Sequence, residues 1–328
     1  MSGIVGHSMY AVLALRSAEE RKLPIAPVLR AHFPSYLGGA YIGCDIQVMP
    51  EAVCVDTGRE VGFGTVPLER SPLTGGSVRP WVLVHDGRKY RPGRILELFY
   101  GRSHLVFGWR GMDANLAVPW DHLADYCALV VRDWRALREP SERGLAWLFG
   151  WMVHIVGDSL IKSIHPGVTM QLLDGTYTPR NRPIQDLYTF HEIGVKEMRL
   201  PWAKWFDEMA ATPIEAIQPH YMRIAPAGGA LSGIFKDGWK PEHASLLQTV
   251  LKENHRWLSH HAADVLRDMT LTEGADGPVV SEAVKQATGG LTYDHMIDLA
   301  EKAGLRKTLN IIANESADLF ARVAALAG

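Results

Sequence analysis

The stretch from Gly150 to Gly167 reads GWMVHIVGDSLIKSIHPG and sets His154, Asp158 and His165, all able to bind a metal, into an otherwise apolar run. At four residues' separation His154 and Asp158 are neighbours on one helix face, and His165, two turns beyond Asp158, falls within roughly 40° of them if the helix continues. The flanking Trp147, Leu148, Phe149, Trp151, Met152, Val153, Ile155, Val156, Leu160 and Ile161 are apolar, a pattern that buries a helix all round. An ionised Asp in such a helix is costly unless it is paired or bound to a cation. Taken alone, the segment fits two arrangements equally. One is a buried His154–Asp158 hydrogen bond with His165 capping the helix before Pro166-Gly167, and the other is a metal face.

A multinuclear zinc site needs further imidazoles and carboxylates from other helices to fill each metal's shell. The chain offers His7 in GIVGHSMYAVLAL, Asp45 closing YLGGAYIGCDI, His104 in FYGRSHLVFGW, and Glu192 beside His191 in DLYTFHEIGVKE. Each is a polar group at the edge of, or within, an apolar run.

The combination of Gly-x-x-Gly-His near the start, an apolar run ending in Asp-Ile, His-x3-Asp-Ser followed by His-Pro, and a downstream Glu resembles the zinc-dependent phospholipase C family. That family shares its helical fold with the fungal single-strand-specific zinc nucleases. The resemblance spans about residues 3–200 and is most specific at HIVGDS and HPG. It implies a mainly α, phospholipase C/zinc nuclease-like fold and two or three zinc ions. Asp45, His104, His154 and Asp158 would ligate one zinc, Asp158 would bridge to another near His7, and His165 with Glu192 would supply a further site. Asp45 would double as the catalytic base. The family's downstream pair is usually His-x3-Glu; here the residue four before Glu192 is Tyr188, so His191 is the substitute imidazole or faces away.

The implied activity is hydrolysis of a small-molecule or lipid-type phosphoester by metal-activated water. Two other classes fit the same residues. One is a metal-stabilised helical binding or assembly protein, and the other is a zinc enzyme adapted to a non-phosphoester metabolite.

Composition bounds these readings. The 328 residues are 47% hydrophobic and 21% charged, with a formal net charge of −2, which gives no electrostatic case for nucleic-acid binding. Cys44, Cys54 and Cys127 are odd in number and not in CxxC spacing, so neither a disulfide framework nor a thiolate zinc site is expected. The N-terminal stretch lacks a signal-peptide pattern, and the longest apolar run, LAWLFGWMVHIVG, is short for a membrane span, so a cytoplasmic protein is expected.

The chain reads as a single helical domain over 1–328, with a β-rich insertion at 46–95 and a C-terminal helical extension at 200–328. Spacing predicts a helix over 8–31 broken before Pro24, a short buried helix over 34–45, and a middle helix opened by Ser141 as N-cap. A Pro/Arg-rich loop follows at 174–184, and its Arg180 and Arg182 are candidates to meet an anionic substrate. The stretch 293–327 keeps helical spacing throughout. His85-Asp86 sits in a strand–turn pattern, unlike helical HD phosphohydrolase pairs, and His255, His260 and His261 are spaced to scatter around a solvated helix. Trp147 and Trp151 are read as core, on the ligand face.

Overall fold

The computed structural model describes residues 3–42, 48–67, 83–85, 87–92, 123–136, 139–161, 172–173, 180–212, 241–275 and 277–328. Asp45, His104 and His165 lie outside them. The fold is mainly α, with a small antiparallel sheet.

Three helices open the chain: α1 (Ile4–Glu20), α2 (Ala26–Ala31) and α3 (Phe33–Ile42). Helix α1 starts earlier than its apolar spacing predicts and is buried on nearly every side up to Ala18, so packing rather than amphipathic patterning holds it. It stops just before Lys22, which takes a left-handed backbone at φ 53°.

The expected β-rich segment forms β1 (Val48–Cys54), β2 (Glu60–Pro67), β3 (Leu83–His85) and β4 (Arg88–Pro92), in the order β2-β1-β4-β3. All described pairings are antiparallel, and a register shift falls between Met49 and Glu51, around Pro50, which has no N–H to give the ladder. The sheet leans through β1 on the later helix Pro241–Asp268.

Helix α4 (Leu123–Arg135) precedes α5 (Glu142–Ile161), the central helix. Ser141 caps α5 as its sequence predicts, its Oγ accepting the Gly144 N–H at 3.1 Å. Every residue of α5 from Ala146 to Ile161 is buried. It is the one helix among the described residues long and apolar enough to cross a membrane, and it lies almost wholly inside the protein.

Helix α6 (Asn181–Leu187) begins inside the predicted Pro/Arg-rich loop, with Pro183 in its first turn, where a missing N–H costs nothing. It runs directly into a π-helical segment, Tyr188–Glu197. Helices α7 (Trp202–Ala210) and α8 (Pro241–Asp268) follow, then a short hairpin of β5 (Thr272–Gly274) and β6 (Gly277–Val279), and then α9 (Glu282–Thr288). The helix expected over 293–327 is split into α10 (Tyr293–Lys302) and α11 (Leu305–Ala327) by Gly304 at φ 72°.

Helix α11 packs along α1, α4 and α5, with Phe320 edge-on to Phe149 at 5.1 Å between centroids. The closest crossing is between α3 and α5. A Cβ on Gly39 would lie 2.0 Å from the Trp147 carbonyl oxygen, and one on Gly150 would lie 2.0 Å from that of Tyr36. The two backbones therefore touch, and only hydrogen fits between them.

Candidate metal centre

Helices α1, α3 and α5 converge on His7, His154 and Asp158, none with any solvent exposure. One ligand atom from each lies within 4.8 Å of the other two, the one such group among the described residues. His7 comes from the first turn of α1 and His154 with Asp158 from one face of α5, as the i,i+4 spacing requires. The two imidazole rings are 4.3 Å apart at their centroids. Tyr10 and Tyr41 close round His7 at 5.5 and 6.1 Å.

Two backbone carbonyls set the protonation of both rings. His154 Nδ1 donates to the Ala40 carbonyl at 2.9 Å, and His7 Nδ1 donates to that of Gly3 at 3.2 Å. A carbonyl only accepts, so each Nδ1 carries a proton, and in the neutral tautomer each Nε2 presents a lone pair. Those lone pairs face a carboxylate, with His7 Nε2 3.4 Å from Asp158 Oδ1 and His154 Nε2 3.7 Å from Asp158 Oδ2. Acceptor facing acceptor in a dry interior is unfavourable unless a proton or a cation lies between them. Ligand atoms about 2.0–2.1 Å from a tetrahedral zinc are about 3.4 Å apart, a separation His7 Nε2 and Asp158 Oδ1 already have, within a group of three held inside 4.8 Å. Imidazoles fixed through Nδ1 to carbonyls, with Nε2 turned inward, form the usual arrangement around a ligated metal.

Next to His7 lies Arg182, a candidate in the sequence, paired with Asp186, which the sequence does not single out. A Cβ on Gly3 would sit 2.6 Å from Asp186 Oδ2 and 2.8 Å from Arg182 Nη2, so the chain leading into His7 runs hard against both. Burial raises the Asp186 carboxyl above its usual range, against the pull of Arg182, His7 and the Gly6 N–H. Arg182 Nε is 3.6 Å from Asp186 Oδ2. Arg182 and Asp186 stand four residues apart, and that i,i+4 spacing was the available signal.

Glu192 and His191 stand elsewhere. The Glu192 carboxylate accepts from Lys196 at 2.6 Å and from the Tyr293 hydroxyl, and it is not part of the His7 group. His191 Nε2 donates to the Met269 carbonyl at 2.7 Å, and Tyr188 is buried with the Arg306 guanidinium over its ring. Trp147 and Trp151 are fully buried core residues.

The reading of His255, His260 and His261 as a solvated set holds only for His260, which is exposed. His255 Nε2 donates to the Ala210 carbonyl. His261 turns inward and stacks on Trp257, one turn earlier, at 4.4 Å, and on Tyr41 at 6.0 Å. Burial, with the Arg182 charge adding to it, brings His261 down from its ordinary 6.5 to about 4. The folded chain therefore resists protonation that the unfolded chain accepts. The stability conferred by neutral His261 is complete above pH 6.5 and declines as pH falls toward about 4. Thermal midpoints measured across that window are expected to fall more steeply for the wild type than for His261→Phe, which keeps the ring stack and cannot titrate. Parallel curves would sink the assignment.

No family model, curated protein or solved structure matches the chain.

Proposed function

We propose that the chain is a zinc-dependent hydrolase acting on a phosphoester, with His7, His154 and Asp158 holding an ion between α1 and α5. The observation that carries this reading is the pair of imidazoles, each fixed by a carbonyl, turning Nε2 toward one buried carboxylate. His7, His154 and Asp158 would hold the ion, and the chemistry it would supply there is an acidified water and a Lewis acid for a phosphoryl oxygen. The chain's own part is to hold both imidazoles in one tautomer through Gly3 and Ala40, and to keep the Asp158 charge where a cation compensates it. Asp186, whose carboxylate feels both His7 and Arg182, stands beside the centre with Arg182 Nε 3.6 Å from its Oδ2. The family resemblance implies Asp45, His104 and His165 as further ligands, with Asp45 the proposed base, while Glu192, the remaining member of that set, is bonded to Lys196 and Tyr293 instead.

Metal analysis of the purified protein tests the reading. At least one zinc per chain is expected, together with hydrolysis of bis(p-nitrophenyl) phosphate or p-nitrophenyl phosphate that a chelator abolishes. Less than one zinc per chain ends the proposal. The complete burial of all three groups favours a second reading, in which the ion is structural and the protein is a binding or assembly module. In that case chelation lowers stability and no phosphoester turnover is found at any stage.

A further inference from the structure

A groove of about 250 Å³ opens between the C-terminal half of α1, α2, the start of α3, and the turn joining the π-helical segment to α7. Its floor is apolar, with Leu15 beside Phe33 and Trp205, whose rings meet edge-on at 4.9 Å. Its rim carries Arg16, Arg30 and Arg199, and none of the lining residues is an Asp or Glu. Arg30 is held by both carboxylate oxygens of Glu19, at 2.9 and 2.7 Å. Arg16 and Arg199 make no side-chain ion pair or hydrogen bond with any described residue.

Arg199 is placed there at a cost. Its φ of 52° lies in the left-handed region, where glycine is at home and a side chain is disfavoured. The neighbouring backbone fixes that conformation, since the Met198 N–H donates to the Ile193 carbonyl at 2.9 Å and the Leu200 N–H to that of Gly194 at 2.8 Å. A glycine would close the segment at lower cost, and the arginine that stands there instead lines the groove. Two guanidiniums with no ion pair or hydrogen bond to a described residue, Arg16 and Arg199, on the rim of one apolar floor without a carboxylate among the lining residues are complementary to an anion that brings its own apolar surface.

We propose that this groove binds a small amphiphilic anion, an oxyanion head received by Arg16 and Arg199 with a short apolar tail laid over Leu15, Phe33 and Trp205. The groove has room for a tail the size of a short chain or a single ring. Arg16 stands nine residues beyond His7, about 13.5 Å along α1, so the site is separate from the metal centre and independent of how that centre is read.

Isothermal titration of the full chain with hexyl phosphate, inorganic phosphate and hexanol tests the proposal. Hexyl phosphate is expected to bind at least about tenfold more tightly than either half alone. Arg199→Gly removes the head contact while relieving the backbone, so its thermal midpoint should equal or exceed the wild type while its affinity for hexyl phosphate falls about tenfold. Arg16→Gln should lose a similar factor. The proposal is overturned if hexanol or inorganic phosphate binds as well as hexyl phosphate, or if Arg199→Gly binds undiminished. It is equally overturned if hexyl phosphate gives no saturable heat, or if binding is seen only with vesicles containing an anionic lipid, which would make this face a membrane-docking surface.

Discussion

Asp158→Asn is expected to separate the metal from the scaffold in one variant. In the wild type the two Nε2 atoms face carboxylate oxygens at 3.4 and 3.7 Å, an arrangement that a cation stabilises and an empty site does not. With zinc a thousandfold above its Kd, bound metal adds about 4 kcal/mol, on the order of 6 °C in the thermal midpoint for a chain of this size. A chelator should therefore lower the wild-type midpoint by that order. Asn has the shape of Asp, carries no charge, and offers an N–H that can donate to one of the facing lone pairs. The variant should hold no zinc at this position and show no response to chelator. It should also melt above the chelated wild type, because a hydrogen bond of about 1 kcal/mol replaces an acceptor–acceptor contact. Asp158→Ala, which leaves a cavity and restores nothing, should melt below both. Zinc content in Asp158→Asn equal to the wild type, or a wild type indifferent to chelator, would defeat the metal reading of the cluster.

The parts of this centre that were legible in the sequence are those fixed by helix periodicity. His154 and Asp158 had to share a face once α5 was helical, and a lone imidazole opening an apolar helix marked His7. What sequence spacing does not encode is which backbone atom a side chain meets. The carbonyls of Gly3 and Ala40 define both tautomers, and the second is reached only because α3 and α5 cross in contact. Asp186 was hidden because its partner four residues earlier is an arginine, whereas the family pattern directs attention to an imidazole. His261 was hidden because its neighbours His255 and His260 point elsewhere, and the inward turn depends on a stack with Trp257.

The fold divides in the same way. Long periodic stretches and the β-rich excursion are visible from residue pattern, as is the Ser141 cap. The break at Gly304 falls inside uninterrupted helical spacing, as does the π-helical stretch after α6, in which a Cβ on Gly194 would come within 2.6 Å of the Trp202 indole. The hairpin of β5 and β6 is mostly exposed and has no alternating pattern to announce it. Local propensity decides where helices exist, and contacts distant in sequence decide where they bend or stop.

Gly39→Ala and Gly38→Ala, one residue apart, are expected to have opposite effects. A methyl at Gly39 would meet the Trp147 carbonyl oxygen at 2.0 Å, its carbon at 2.9 Å and the Trp151 nitrogen at 3.0 Å. All three are backbone atoms of a buried helix, so no rotamer change relieves the clash, and α3 must move away from α5 along their whole contact. Overpacking of this kind costs about 1–3 kcal/mol and more where the obstacle is rigid, so a loss at or above the upper end is expected. The methyl at Gly38 points the other way, with its nearest neighbour the Trp147 Nε1 at 3.5 Å, an ordinary contact. There the better helix propensity of alanine should add about 0.5–1 kcal/mol. The two variants also differ at the metal centre, because Ala40 follows Gly39 and its carbonyl holds His154 Nδ1 at 2.9 Å. Shifting α3 lengthens that bond and frees the imidazole to change tautomer, so Gly39→Ala should weaken zinc binding as well, by the 10–100-fold typical of lost supporting hydrogen bonds. Gly150→Ala, which puts a methyl 2.0 Å from the Tyr36 carbonyl oxygen across the same crossing, should reproduce both losses. Urea unfolding and zinc competition titrations on the three proteins measure these effects directly. Equal stability of Gly38→Ala and Gly39→Ala would mean that α3 and α5 do not cross in backbone contact, and the carbonyl support for His154 would fall with that crossing.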